Sequence, residues 1–175
     1  RVTGTRRARL AEVLGHGLHL FAYHLPLDVH PQLGNNAQLA ARMGWRVDGH
    51  AGEQDLIAWH DLARPASAAQ VARKLGERLG REPLAVGALD RPIRRLAWCT
   101  GAAQDMLDQA IEARADAFVS GEIAERTTHL AREAGVVYFA AGHHATERYG
   151  VQALGEHVAG RLRIAHRFVE DDNPV

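Results

Sequence analysis

Two rhythms of apolar positions alternate along the chain. Between residues 67 and 79, Val71, Leu75 and Leu79 return every fourth position, a spacing that lines one face of a helix. Similar stretches predict helices over 6–14, 37–42, 104–114, 125–134 and 146–158. Between them lie short apolar runs at 18–23, 83–86, 93–99, 117–119, 136–141 and 163–169, which read as strands. From 44 to 64 the pattern breaks, with Gly, Asp, Trp and His intermixed. That stretch reads as a crossing between two lobes, with a short strand at 55–59. Strands separated by helices predict an α/β protein with largely parallel or mixed sheets flanked by helices.

Where one apolar strand gives way to a helix, the chain reads Ala140-Ala-Gly-His-His-Ala-Thr-Glu-Arg-Tyr-Gly150. If the helix is already wound at His143, its imidazole and the Glu147 carboxylate share a face. Imidazole with carboxylate suits zinc, manganese, iron or nickel. The bland alternative is a surface helix whose glutamate favours its N-terminal end. A second block repeats the order of parts: an apolar run at 18–23, then His24-Leu-Pro-Leu-Asp28, then a helix. Pro26 is expected to keep that His-x-x-x-Asp spacing out of a regular helix. The recurrence of helix, strand, His-x-x-x-acid and helix reads as an internal duplication.

Two further strand ends invite a chemical reading. The turn Cys99-Thr-Gly-Ala-Ala has backbone amides that could receive a phosphate, although a single glycine there is ordinary turn chemistry. Glu122, after the strand at 117–119, could point into a site or serve the next helix's N-terminus.

Composition narrows the classes. The chain has 175 residues, 46% hydrophobic and 24% charged, a globular balance. Lys plus Arg and Asp plus Glu both number 21, so no global basic field favours a DNA partner. Arg6, Arg7, Arg9, Arg94 and Arg95 read as solvated faces. No apolar run approaches the roughly 20 residues that span a bilayer, and no secretory leader is visible, so a soluble, cytoplasmic protein is expected. Cys99 is the single cysteine, which excludes an intrachain disulfide and a cysteine-rich zinc site; it reads as a buried thiol.

Taken together, Tyr23-His-Leu-Pro-Leu-Asp-Val-His-Pro-Gln-Leu-Gly-Asn-Asn-Ala-Gln-Leu-Ala40, Trp98-Cys-Thr-Gly101, Ser120-Gly-Glu122 and the segment 140–150 resemble the Nif-three-like family. Its YbgI-type bacterial members are called GTP cyclohydrolase 1 type 2 homologues or dinuclear metal centre hexameric proteins. The resemblance runs over nearly the whole chain. It implies two related α/β lobes, a toroidal homohexamer, and a pair of divalent ions in a cleft between the lobes. Asp28, His143 and Glu147 match the family's metal ligands, Glu147 as the bridge, with His24 and His144 beside them. The lobes would be residues 1–50, the remaining part of the first, and 51–175, the second. Family members also carry a His-His pair upstream of the matched region, and none precedes Asp28 here. The leading portion of the first lobe is therefore expected to be absent from this sequence. The family label implies a metal-dependent hydrolase using a metal-activated water, with a nucleotide or other heterocycle as substrate. The alternative is a noncatalytic metal-binding scaffold, regulator or metal chaperone.

Overall fold

The computed structural model describes residues 1–171 and 173–175. Helices α1 (Gly4–Gly15), α2 (Leu25–Asp28) and α3 (Asn35–Met43) come first. Strands β1 (Gly49–Ala51) and β2 (Ile57–Ala66) follow, then α4 (Ala68–Leu79), β3 (Leu84–Gly87) and β4 (Ile93–Trp98). The chain continues through α5 (Leu107–Glu112), β5 (Ala117–Ser120), α6 (Glu125–Ala134), β6 (Val137–Ala140) and α7 (His143–Leu162).

Among the described residues six strands form one mixed sheet in the order β1-β2-β4-β5-β6-β3. Its centre, β4, β5 and β6, is parallel, and β1, β2 and β3 pair antiparallel outside it. The central strands are short apolar runs because both faces are covered. On one face Leu96, Trp98, Val119 and Phe139 pack with Leu39, Met43 and Leu75 of α3 and α4. On the other, Ala97, Phe118 and Tyr138 pack with Leu107 of α5 and Ala131 of α6. Alternate residues of one strand thus serve opposite cores, as the pleat requires. This is the α/β architecture expected from the alternation of elements.

Local chemistry sets the helix ends. Ser67 Oγ accepts from the Gln70 amide at 3.2 Å and the Gln70 side chain accepts from the Ser67 amide at 2.8 Å, a capping box that starts α4. Gly80, with φ 72°, ends it in the left-handed conformation.

The structure departs from the sequence expectations at four places. Segments 18–23 and 163–169 are not strands; neither joins the sheet, and a strand without a neighbour leaves its backbone groups unpaired. The duplication of helix, strand, His-x-x-x-acid and helix is therefore absent from the secondary structure of the first block. Pro26 does not exclude a helical turn, because it sits in the first turn of α2, where no amide is needed. The Asp28 amide donates to the His24 carbonyl at 3.2 Å, closing that turn. Finally, the region read as a lobe crossing contains the ten-residue strand β2, whose register shifts between Asp61 and Ala66 and whose outer half is largely exposed.

Candidate metal centre

Three parallel strands end side by side, and their carboxyl ends are where ligands gather in such sheets. The loops leaving them are stitched together: the Gly121 amide donates to the Gly101 carbonyl at 2.8 Å, and the Gly142 amide to the Gly121 carbonyl at 2.9 Å. This stacking brings Gly101 after β4, Glu122 after β5 and His143 after β6 to one edge. The approach is close at Gly101, with φ 69°, where a Cβ would collide with Glu147 Oε1 and lie 3.2 Å from His143 Nε2. A side chain here would fill the space beside the imidazole and carboxylate.

Helix α7 begins at His143, so His143 and Glu147 do share a face, Nε2 to Oε2 at 3.1 Å. The other ring nitrogen, Nδ1, is 2.6 Å from Glu122 Oε1. A histidine that gives its Nδ1–H to a carboxylate presents Nε2 forward, the arrangement that orients metal-binding imidazoles. Burial works to lower the His143 pKa, but the Glu122 hydrogen bond and the Glu147 charge outweigh it, and the net shift is upward. Glu147 is also shifted upward, first by burial and then by the Asp28 charge, against the pull of His143.

Asp28 reaches the same cavity, of about 840 Å³, from α2. It is buried, and Asn35 Nδ2 donates to its Oδ1 at 2.5 Å. Asn35 Oδ1 is buried without a partner, packed where a Cβ on Gly150 would strike it. The neighbouring Asn36 accepts from the Thr100 amide at 3.0 Å, which fixes the β4 loop against α3.

The cavity thus joins Asp28, His143 and Glu147, with His24 and His144 also on its wall. Among the described residues, however, no group of three or more His, Cys, Asp or Glu side chains is gathered to hold an ion. In donor chemistry the residues fit a divalent cation. The Asp28 charge opposes ionisation of Glu147, whose Oε2 faces the His143 Nε2, and a cation among these groups would relieve that repulsion.

The phosphate reading of the turn after β4 fails. The Thr100 amide is taken by Asn36, the Gly101 amide by Thr146 Oγ1 and the Ala103 amide by Ser120 Oγ, so these donors are already satisfied inside the protein. Sequence reasoning passed over Asn35 and Asn36 as individual residues. Their signal was adjacent amides entering a helix, next to a glycine.

Comparison with known proteins extends the geometry. The family model described as Duf34/NIF3 (NGG1p interacting factor 3) matches residues 1–174. A Pseudomonas aeruginosa protein named GTP cyclohydrolase 1 type 2 homolog is 49% identical over 176 aligned positions, which cover 99% of this chain and 69% of its own. An Allochromatium vinosum protein of the same name is 49% identical, covering 98% and 68%. Among solved structures, protein ybgI, described as of unknown function, matches with TM-score 0.93 and 42% identity over 100% of this chain and 70% of its own. A Thermus thermophilus protein matches with TM-score 0.88 and 31% identity, covering 100% and 70%.

Proposed function

The chain belongs to the Duf34/NIF3 family, and from that premise we propose that it is a divalent-metal protein with a dinuclear centre, acting as a metal-dependent hydrolase. The observation that carries this reading is the convergence of Asp28, His143 and Glu147 on one cavity at the carboxyl edge of the parallel strands. His143 would ligate through Nε2, because Glu122 lies against Nδ1. Asp28 would ligate with a carboxylate oriented by Asn35, and Glu147 has a second oxygen with which to bridge. Two ions bound there, of zinc, manganese, iron or nickel, would lower the pKa of a bound water and supply hydroxide near neutral pH. The division into lobes at residues 1–50 and 51–175, the homohexamer, the cytoplasmic setting and a nucleotide or heterocyclic substrate belong to the same proposal.

The second reading is a noncatalytic hexameric metal scaffold, regulator or metal chaperone, in which Asp28, His143 and Glu147 on the same cavity would hold the ion without turnover.

The metal content of protein dialysed against zinc or manganese tests the site. Wild type should retain metal, and H143A and E147Q should lose most of it while keeping the native circular dichroism. Equal content in wild type and an H143A/E147Q double variant would sink the metal reading. Loaded protein that binds metal yet turns over no nucleotide, phosphoester or cyclic amide would leave the scaffold standing and remove the hydrolase.

A further inference from the structure

His144 and Arg148 stand one position beyond His143 and Glu147 on α7 and form a second, adjacent stripe along its first turns. Both line the same cavity. Arg148 is held from behind: Nη2 donates to the Leu79 carbonyl at 2.9 Å and to the Tyr149 hydroxyl at 3.2 Å. Its Nη1 is left to face the cavity rim. There Arg148 Nη1, at 3.1 Å, and His144 Nε2, at 2.7 Å, converge on one carboxylate oxygen, Glu170 Oε1.

That carboxylate comes from the segment after α7, whose described residues contribute Phe168, Val169, Asp171, Asn173 and Val175 to the cavity wall. The segment covers the cavity without being built into the core. Among its described residues Phe168 alone is partly buried. Its other tethers are polar: the His144 amide donates to the Val175 carbonyl at 3.1 Å, and Arg81 donates to the Pro174 carbonyl. A segment with few buried apolar contacts opens at low free energy. When it lifts, Glu170 parts from Arg148 and His144 and Asp171 leaves the cavity wall, so the anchored arginine and its histidine neighbour face solvent without a carboxylate partner.

We propose that His144 and Arg148 form an anion-binding subsite at the cavity rim, and that Glu170 occupies it as an intramolecular stand-in for the carboxylate or phosphate-monoester group of a ligand. An arginine fixed by the Leu79 carbonyl and the Tyr149 hydroxyl, beside an imidazole N–H, offers charge-assisted donors matched to carboxylate or phosphate oxygens. A ligand takes the subsite by displacing Glu170 and the neighbouring wall residues Phe168, Val169 and Asp171, so access to the cavity and recognition of the anion are one event. The subsite goes beyond the metal reading and needs no ion at Asp28, His143 or Glu147.

The test is therefore made on protein treated with EDTA, titrated calorimetrically with inorganic phosphate and, separately, with acetate. Removing Glu170 frees the subsite. If the stand-in leaves it open about a tenth of the time, E170A should bind the preferred anion about tenfold more tightly than wild type. E170Q, which keeps the side-chain shape and loses the charge, should shift the same way. Adding R148M to E170A should abolish the gain. A gain with phosphate assigns a phosphate-monoester ligand, and a gain with acetate alone assigns a carboxylate. The proposal is overturned if neither anion binds more tightly to E170A or E170Q than to wild type, or if E170A and E170A/R148M bind alike. Absence of zinc binding in the same protein would remove the metal reading and leave this result readable.

Discussion

Asn36 ties three separate backbone segments together. Its Nδ2 donates to the Leu56 carbonyl at 2.7 Å, its Oδ1 accepts from the Thr100 amide at 3.0 Å, and its own carbonyl accepts from Trp98 Nε1 at 3.0 Å. Asn36→Ala removes the first two and strands a buried N–H, which costs about 1–3 kcal/mol. Equilibrium urea unfolding should show that loss, with the midpoint lowered and the slope unchanged; an unshifted midpoint would mean that the network is replaceable by water. Beside it, burial pushes the Cys99 thiol up from its ordinary value to about 12. The folded state then keeps a proton that an unfolded thiol, at about 8.5, has released. The Cys99 contribution to stability is therefore intact below the unfolded value and declines as pH rises from there toward 12. Because the thiolate is the reactive form, a thiol reagent at pH 8 should label Cys99 at the rate of unfolding, and rapid labelling of native protein would contradict the burial. The sequence disclosed that Cys99 was buried, although β4 ends one residue before it, but it did not disclose Asn36, since an asparagine at a helix start is usually local chemistry.

Between elements, the pairing of β2 with β4 carries an ion pair that fixes its outer half. Arg95 Nε and Nη2 donate to the two Asp61 oxygens at 2.7 and 2.8 Å. The guanidinium also lies over the Trp59 ring, 4.1 Å from its centroid. The Arg95 hydrogen bonds hold the Asp61 carboxyl below its ordinary value. A carboxylate with a depressed folded pKa contributes stability above the unfolded value of about 3.9, and that contribution is lost as pH falls through the folded value. Asp61→Asn should therefore lower stability at neutral pH and flatten the acid limb of the stability–pH curve below about pH 4, the two proteins converging once the pH has fallen below the folded value. Asp61 is half exposed, so the effect should shrink with added salt. Unfolding curves at several pH values check this, and parallel curves for wild type and variant would exclude the pair. This pairing explains why β2 was hard to read. Its residues mix His60, Asp61 and Arg64 among apolar ones without a strict alternation, and they are extended because β4 supplies the ladder, not because they are strongly strand-forming. Helix α4 was legible to within a residue, since its stripe of Val71, Leu75 and Leu79 and its Ser67 cap are local signals.

At the scale of the molecule, stability is unevenly distributed. Strands β4, β5 and β6 lie between two cores, whereas α1 has no buried residue and spans 12 residues, about the length at which an isolated helix is marginal in water. Native-state hydrogen exchange should accordingly give β5 amides protection close to the global unfolding free energy and α1 amides almost none; slow exchange in α1 would show that its face is covered in solution. Among the described residues no helix is long and apolar enough to cross a membrane, although α7 has 20 residues. By itself the sequence determined the family, the α/β alternation, most helices, and the helical spacing of His143 and Glu147, because these depend on residues near one another in the chain. Only the tertiary structure decided that Glu122 backs His143, that Asn35 grips Asp28, that the Thr100, Gly101 and Ala103 amides are already taken, and that segments 18–23 and 163–169 stay outside the sheet. Each of these is a choice of partner across tens of residues. Hydrogen-bond partners and strand neighbours are set by which elements the packed cores bring together, and local pattern carries no record of that choice.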